Sequence, residues 1–94
     1  MDYQLKDKKV FISGSTKGIG LATAKTLAKE GAEVVINGRS QESMEQAISS
    51  ITSEINSAKI SGIACDFSKK DQVDSLIEKL GKVDILINNV GIFN

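Results

Sequence analysis

The residues most able to do chemistry lie together in one stretch, Ser13-Gly14-Ser15-Thr16-Lys17-Gly18-Ile19-Gly20. Its three glycines permit positive φ and keep side chains out of the path of a bulky anion. Where such a loop opens a helix, unpaired backbone N–H groups and the helix dipole face that anion. Gly20 serves differently, because the missing Cβ lets the helix pack close to the strand before it. The hydroxyls of Ser15 and Thr16 have two uses open to them: bonds to phosphate or ribose, or turn bonds within the loop. The chemistry this stretch can do is to cradle a diphosphate. A P-loop needs Gly-Lys-Ser/Thr at its end, but here Lys17 precedes Gly18 and Leu21 follows Gly20, so that reading fails.

A glycine loop means little unless a strand enters it and a helix leaves it. Val10-Phe11-Ile12 supplies the apolar strand, and Ile19 to Glu30 favours a helix that Gly31 ends. Val34-Val35-Ile36 is a second buried strand. Ser40 caps a second helix, whose Met44, Ile48, Ile51 and Ile55 share one face. Ile60, Ile63 and Ala64 form a weaker third strand, interrupted by Ser61 and Gly62, which suits a sheet edge. Ser68 and Asp71 read as a short capping box before a third helix with a core stripe of Val73, Leu76, Ile77 and Leu80, closed by Gly81. Ile85-Leu86-Ile87 is the fourth strand.

This βαβαβαβ alternation predicts an α/β fold with right-handed crossovers. It is a Rossmann-type half-domain, a four-stranded parallel sheet in order 3-2-1-4 over residues 1–94, with the first two helices on one face and the third on the other.

The spacing Gly14-x-x-x-Gly18-x-Gly20 resembles that of the short-chain dehydrogenase/reductase family. Asn88-Asn89-Val90-Gly91 is similar to that family's Asn-Asn-Ala-Gly motif, and Cys65-Asp66-Phe67 resembles its adenine-contacting Asp segment. The three motifs stand in register along nearly the whole chain. Ser13 stands where the family usually has Thr, and Val90, where Ala is usual, adds bulk beside the expected ribose. The resemblance implies cofactor contacts at Gly14, Ser15, Thr16, Lys17, Gly18, Ile19, Gly20, Arg39, Ser40, Asp66, Phe67, Asn88, Val90 and Gly91. Asp66 would accept a bond from the adenine amino group, and Asn88 would mainly tie neighbouring strands together. Cys65 reads as a small buried residue, not a nucleophile.

The end of the second strand distinguishes the two nicotinamide dinucleotides. An NAD site places a carboxylate there for the ribose 2′-hydroxyl. This chain has Asn37-Gly38-Arg39-Ser40, with no carboxylate, a guanidinium fork on Arg39 and room at Gly38. Lys17 adds a second cation, and no anion is expected to compete for the pair. The expectation is NADP(H) over NAD(H), against the plainer reading of two surface charges. An S-adenosylmethionine site would also want an acidic residue after the second strand, so Arg39 argues against it.

Composition narrows the remaining classes. Lys and Arg number 12, as do Asp and Glu, and this zero balance argues against bulk binding to nucleic acid or an anionic membrane. The absence of His removes the common zinc sets and His-dependent triads. No apolar run reaches the roughly 18 residues of a membrane span. With a lone cysteine and a polar, charged start, the default location is cytoplasmic.

The family's acid/base chemistry, as the resemblance implies it, uses a Ser and a Tyr-x-x-x-Lys pair beyond strand four. Tyr3 is the only tyrosine, and Asp7 stands four residues after it. No residue here takes a catalytic role. The chain therefore reads as a truncated dinucleotide-binding half, inactive alone, of an enzyme that transfers hydride between carbonyl and alcohol. The alternative is a non-catalytic nucleotide-binding or assembly module. Ile85, Leu86 and Ile87 would form a bare sheet edge, which predicts a homodimer or swapped oligomer.

Overall fold

The computed structural model describes residues 5–89. In chain order the elements are β1 (Lys9–Ile12), α1 (Gly18–Lys29), β2 (Glu33–Gly38), α2 (Gln41–Glu54), β3 (Lys59–Ala64), α3 (Lys70–Leu80) and β4 (Ile85–Ile87). The strands form one sheet in the order β3-β2-β1-β4, and all three pairings are parallel. This is the order expected from the sequence.

Parallel strands covered on both faces read as continuous apolar runs, and β1 and β2 do so. The residues of each run divide between two cores. Val10, Ile12, Val34 and Ile36 pack with Ala24 and Ala28 of α1 and Ala47 and Ile51 of α2. Phe11 and Val35 point the other way, to Leu76 of α3 and to Cys65. The register pairs Val10 with Val34 and Phe11 with Val35, so the two strands present matching rows to each face. The edge strands β3 and β4 are only partly covered, and Leu86 is 59% exposed.

Helix ends follow local chemistry. Gly31 N–H donates to Ala28 O, and Ala32 N–H donates to Leu27 O, the paired bonds of a Schellman stop. Ser40 Oγ accepts from Ser43 N–H at 3.2 Å, so it caps α2 as expected.

Two expectations for α3 are corrected. The Ser68–Asp71 capping box does not form: Lys69 is the N-cap and supplies no side-chain bond. Ser68 instead donates both its N–H and its hydroxyl to Asp66 Oδ1, at 3.0 and 2.7 Å. A local turn closed by Asp has outcompeted the cap. Nor is Ile77 a core residue, since it is 64% exposed while Leu76 is 4% exposed. Neighbouring helical residues lie about 100° apart, so the face that brings Val73, Leu76 and Leu80 to the sheet turns Ile77 outward.

Candidate functional site

In an open parallel sheet, ligands bind in the crevice beyond the carboxyl ends of the strands. Here those ends bring together the loop after β1, Asn37 to Arg39 at the end of β2, and Cys65 to Ser68 after β3. They line a cleft of about 600 Å³ that includes Gly14, Thr16 and Lys17. A second hollow, of about 460 Å³, shares Thr16, Lys17 and Arg39 with the cleft and opens toward Ser43, Gln46 and Ser50 of α2.

The loop has the conformation its glycines allow. Gly14 and Gly18 have φ of 58° and 64°, the left-handed region where a side chain is costly. Lys17 is the extended N-cap of α1; it provides no side-chain cap, and the first turn holds no acidic residue. The first turn thus has no side-chain cap and no acidic residue of its own, and a Gly18 Cβ would meet no atom within 4 Å beyond its chain neighbours and the helix's own backbone. These are the conditions under which a helix start accepts a phosphate. Gly20 is buried, and a Cβ on it would lie 2.6 Å from Gly14 O and 2.9 Å from Ser15 Cα. Its packing role, expected from the sequence, is against the loop's own backbone.

Side-chain amides, that of Asn37 buried and those of Asn88 and Asn89 exposed, hold the loop in place. Asn37 is 2% exposed; its Oδ1 accepts from Gly14 N–H at 2.9 Å, and its Nδ2 donates to Ile63 O at 3.1 Å. Ser15 N–H donates to Asn37 O, and Asn37 N–H donates to Ser15 Oγ, both at 2.8 Å. On the other side, Asn89 N–H donates to Ser13 Oγ at 2.9 Å, and Asn89 Nδ2 donates to Gly14 O at 2.8 Å. Asn88 Oδ1 accepts from the Ser13 hydroxyl at 3.3 Å, so it ties the end of β4 to the end of β1.

The expected contact residues divide accordingly. Gly14, Thr16, Lys17, Arg39, Asp66 and Phe67 line the cleft, and Gly18, Ile19 and Gly20 begin the helix above it. Ser15 is fully buried and also donates its hydroxyl to Ile12 O at 2.8 Å, so the turn-bonding reading of this residue is the one the fold adopts. Ser40 is engaged in its cap and lines neither hollow. Gly38 also lines the cleft, and a Cβ there would stand 2.5 Å from the Thr16 methyl. Val90 and Gly91 lie outside the described residues.

Charge at the cleft mouth also differs from the expectation. The expectation of no competing anion does not hold, because the fold brings Asp66 Oδ1 to 3.7 Å from Arg39 Nη2. The Asp66 carboxyl is held below its ordinary value, chiefly by the Ser68 hydroxyl and N–H, with Arg39 adding to the effect. Burial, followed by the Asp66 charge, pushes the Cys65 thiol up, consistent with an inert cysteine in the cleft wall. Among the described residues no cluster could hold a metal ion, and no helix is long and apolar enough to cross a membrane.

Asn37 and Asn89 are the site residues that sequence reasoning missed. Asn37 carried a signal: a polar residue ending an apolar strand is costly to bury unless its amide is bonded on both sides.

A parallel sheet in this order, with an uncapped glycine loop at its carboxyl end, defines the dinucleotide-binding half of a Rossmann fold. The chain belongs to the short chain dehydrogenase family, whose model matches residues 8–94. It is 46% identical over 96 residues to an uncharacterized oxidoreductase, YvrD, of Bacillus subtilis, covering 99% of this chain and 35% of the relative. Against gluconate 5-dehydrogenase of Gluconobacter oxydans the identity is 42%, covering 96% of this chain and 36% of the relative. The crystal structure of L-sorbose reductase from Gluconobacter frateurii, complexed with NADPH and L-sorbose, superposes with a TM-score of 0.86 at 35% identity. That match covers 97% of this chain and 36% of the reductase. The chain thus spans about a third of the length of the relatives it matches.

Proposed function

We propose that this chain is the NADP(H)-holding portion of a short-chain oxidoreductase that interconverts a carbonyl and an alcohol. The observation that carries the cofactor choice is the end of β2, where Arg39 stands at the cleft and no carboxylate follows the strand before it. Lys17 lines the same cleft and the adjoining hollow, so two cations converge where a ribose 2′-phosphate would sit. The N–H groups at Gly18, Ile19 and Gly20 would take the diphosphate. Asp66 and Phe67 would flank the adenine. Bound there, the nicotinamide would supply hydride chemistry. The L-sorbose reductase that this chain resembles was crystallised with NADPH, which supports the phosphorylated form.

Within these 94 residues Tyr3 has no lysine four positions on, so this chain alone is proposed to hold cofactor without transferring hydride. A cytoplasmic location is proposed with it, on the lone buried thiol. Calorimetric titration with NADPH and NADH tests the cofactor reading: NADPH is expected to bind tighter, and Arg39→Ala to remove most of the difference. Equal affinities in the unaltered chain, or an Arg39→Ala chain that keeps its preference, would refute it.

A second reading, as an assembly module, draws on β4. This strand pairs with β1 on one side and lies at the sheet's edge on the other, with Leu86 exposed. It proposes a homodimer or swapped oligomer across that edge. Light scattering at tens of micromolar tests it, and a monomeric mass would exclude it.

A further inference from the structure

The cation placed to meet a phosphate already has an anion beside it. Gly38 and Ala64 are partners in the β2–β3 register, and Cys65 N–H donates to Gly38 O at 2.9 Å. The two chain paths therefore remain paired one step past the strands. Arg39 and Asp66 are the next residues on those paths, and their side chains meet at 3.7 Å. The two partners are held unequally. Asp66 Oδ1 accepts two bonds from Ser68, and Asp66 N–H donates to Gln72 Oε1 at 2.8 Å. The Arg39 side chain is 83% exposed, against 24% for Asp66. An anchored carboxylate thus stands within ion-pair distance of one nitrogen of a solvated guanidinium.

We propose that Asp66 is a specificity-determining residue that acts through Arg39, as a built-in competitor for the guanidinium that a 2′-phosphate needs. The inference rests on the NADP(H) reading of the cleft and deepens it. A ribose with a free 2′-hydroxyl leaves the ion pair in place. A ribose with a 2′-phosphate must draw the guanidinium off the carboxylate before its fork is available. The pair therefore moderates the preference for the phosphorylated dinucleotide without weakening the cradle. Exposed pairs of this kind are worth about two- to five-fold in an equilibrium, which sets the size of the effect.

The test compares 2′,5′-ADP with 5′-AMP by calorimetry on the 94-residue chain. Asp66→Asn keeps an oxygen for Ser68 and removes the charge, and it is expected to raise the affinity ratio of the two probes about two- to five-fold. Loss of an adenine contact would affect both probes alike and cancel in the ratio. In an Arg39→Met background the same change is expected to leave the ratio unaltered. An unchanged ratio in Asp66→Asn overturns the inference, and so does an equal gain without Arg39, which would mean direct repulsion by the carboxylate.

Failure of the underlying reading looks different: an unaltered chain with no preference for 2′,5′-ADP, and no response to Arg39→Met. A chain that binds neither probe overturns both. The Arg39 Nε–H resonance reads the ion pair without nucleotide; it is expected to move on Asp66→Asn, and an unmoved resonance counts against the proposal. Asp66→Ser repeats every arm should Asp66→Asn fail to fold.

Discussion

Replacing Asn37 by alanine tests whether the loop is held by its amide bracket or by its glycines alone. The side chain is 2% exposed and links Gly14 N–H to Ile63 O across two strand ends. Asn37→Ala leaves that donor and that acceptor without a partner. Both bonds lie in part-buried surroundings, so each orphaned group is taken near the low end of the usual range, about 1–1.5 kcal/mol. The total is about 2–3 kcal/mol, a large share of the roughly 5–14 kcal/mol expected of a domain this size. Melting followed by circular dichroism should fall by about 10–20 °C. Asn37→Asp should be worse at neutral pH. It keeps an acceptor for Gly14 but turns a buried carboxylate toward the Ile63 carbonyl, and its penalty should shrink in acid as that carboxylate is protonated. If Asn37→Ala lies within about 0.5 kcal/mol of the unaltered chain, the bracket carries no stability and the reasoning fails.

Three further outcomes follow from the same geometry. Gly20→Ala should cost about 1–3 kcal/mol and displace the loop, because the new Cβ meets Gly14 and Ser15 backbone; Gly18→Ala should cost about 1–2 kcal/mol from φ alone, and Gly18→Asn should recover part of it, all read from urea midpoints. Asp7, Glu54 and Asp66 each titrate below their ordinary values of 3.8, 4.5 and 3.8, held down chiefly by Lys59, Lys25 and Ser68 respectively. Their contribution is complete above those values and is lost as pH falls through the folded ones, so urea midpoints should decline below about pH 4, less steeply in Asp7→Asn. Cys65, buried and pushed above its ordinary 9.0, should resist iodoacetamide at neutral pH in the native chain and react once urea unfolds it; rapid native labelling would place it outside the core.

The sequence was most informative where physics is local. Strand runs, helical stripes and Gly31 as a helix stop are written in neighbouring residues, and the crossover rule then leaves few sheet orders open. The α3 start failed because two local motifs competed for Ser68, and the Asp66 turn won over the cap. Ile77 failed because a stripe wider than the contact it meets leaves one residue outside. The site was legible as a set of glycines and charges, but not as a network. Residues 39 and 66 are 27 positions apart in sequence, and only the β2–β3 register makes them neighbours. For the same reason Asn37 read as a missing carboxylate and not as an amide with two partners.

That network changes which parts of the chain belong to the cradle. A βαβ unit ending at β2 would contain every glycine of the loop, yet Gly14 would be held on one side alone, by Asn37. The opposing bond comes from Asn89, just past β4, which donates to Gly14 O, while its backbone N–H fastens Ser13. Neither hollow is lined by Asn89, so its part in the site is to set the loop. Gly20 must be small for the same reason, since a Cβ there would stand 2.8 Å from Asn89 Nδ2 as well as against the loop backbone. The glycine usually credited with close helix packing therefore also clears the path of an internal hydrogen bond. The spacing within residues 14–20 is thus tied to the asparagine near position 90, and a change at either end should be felt at Gly14.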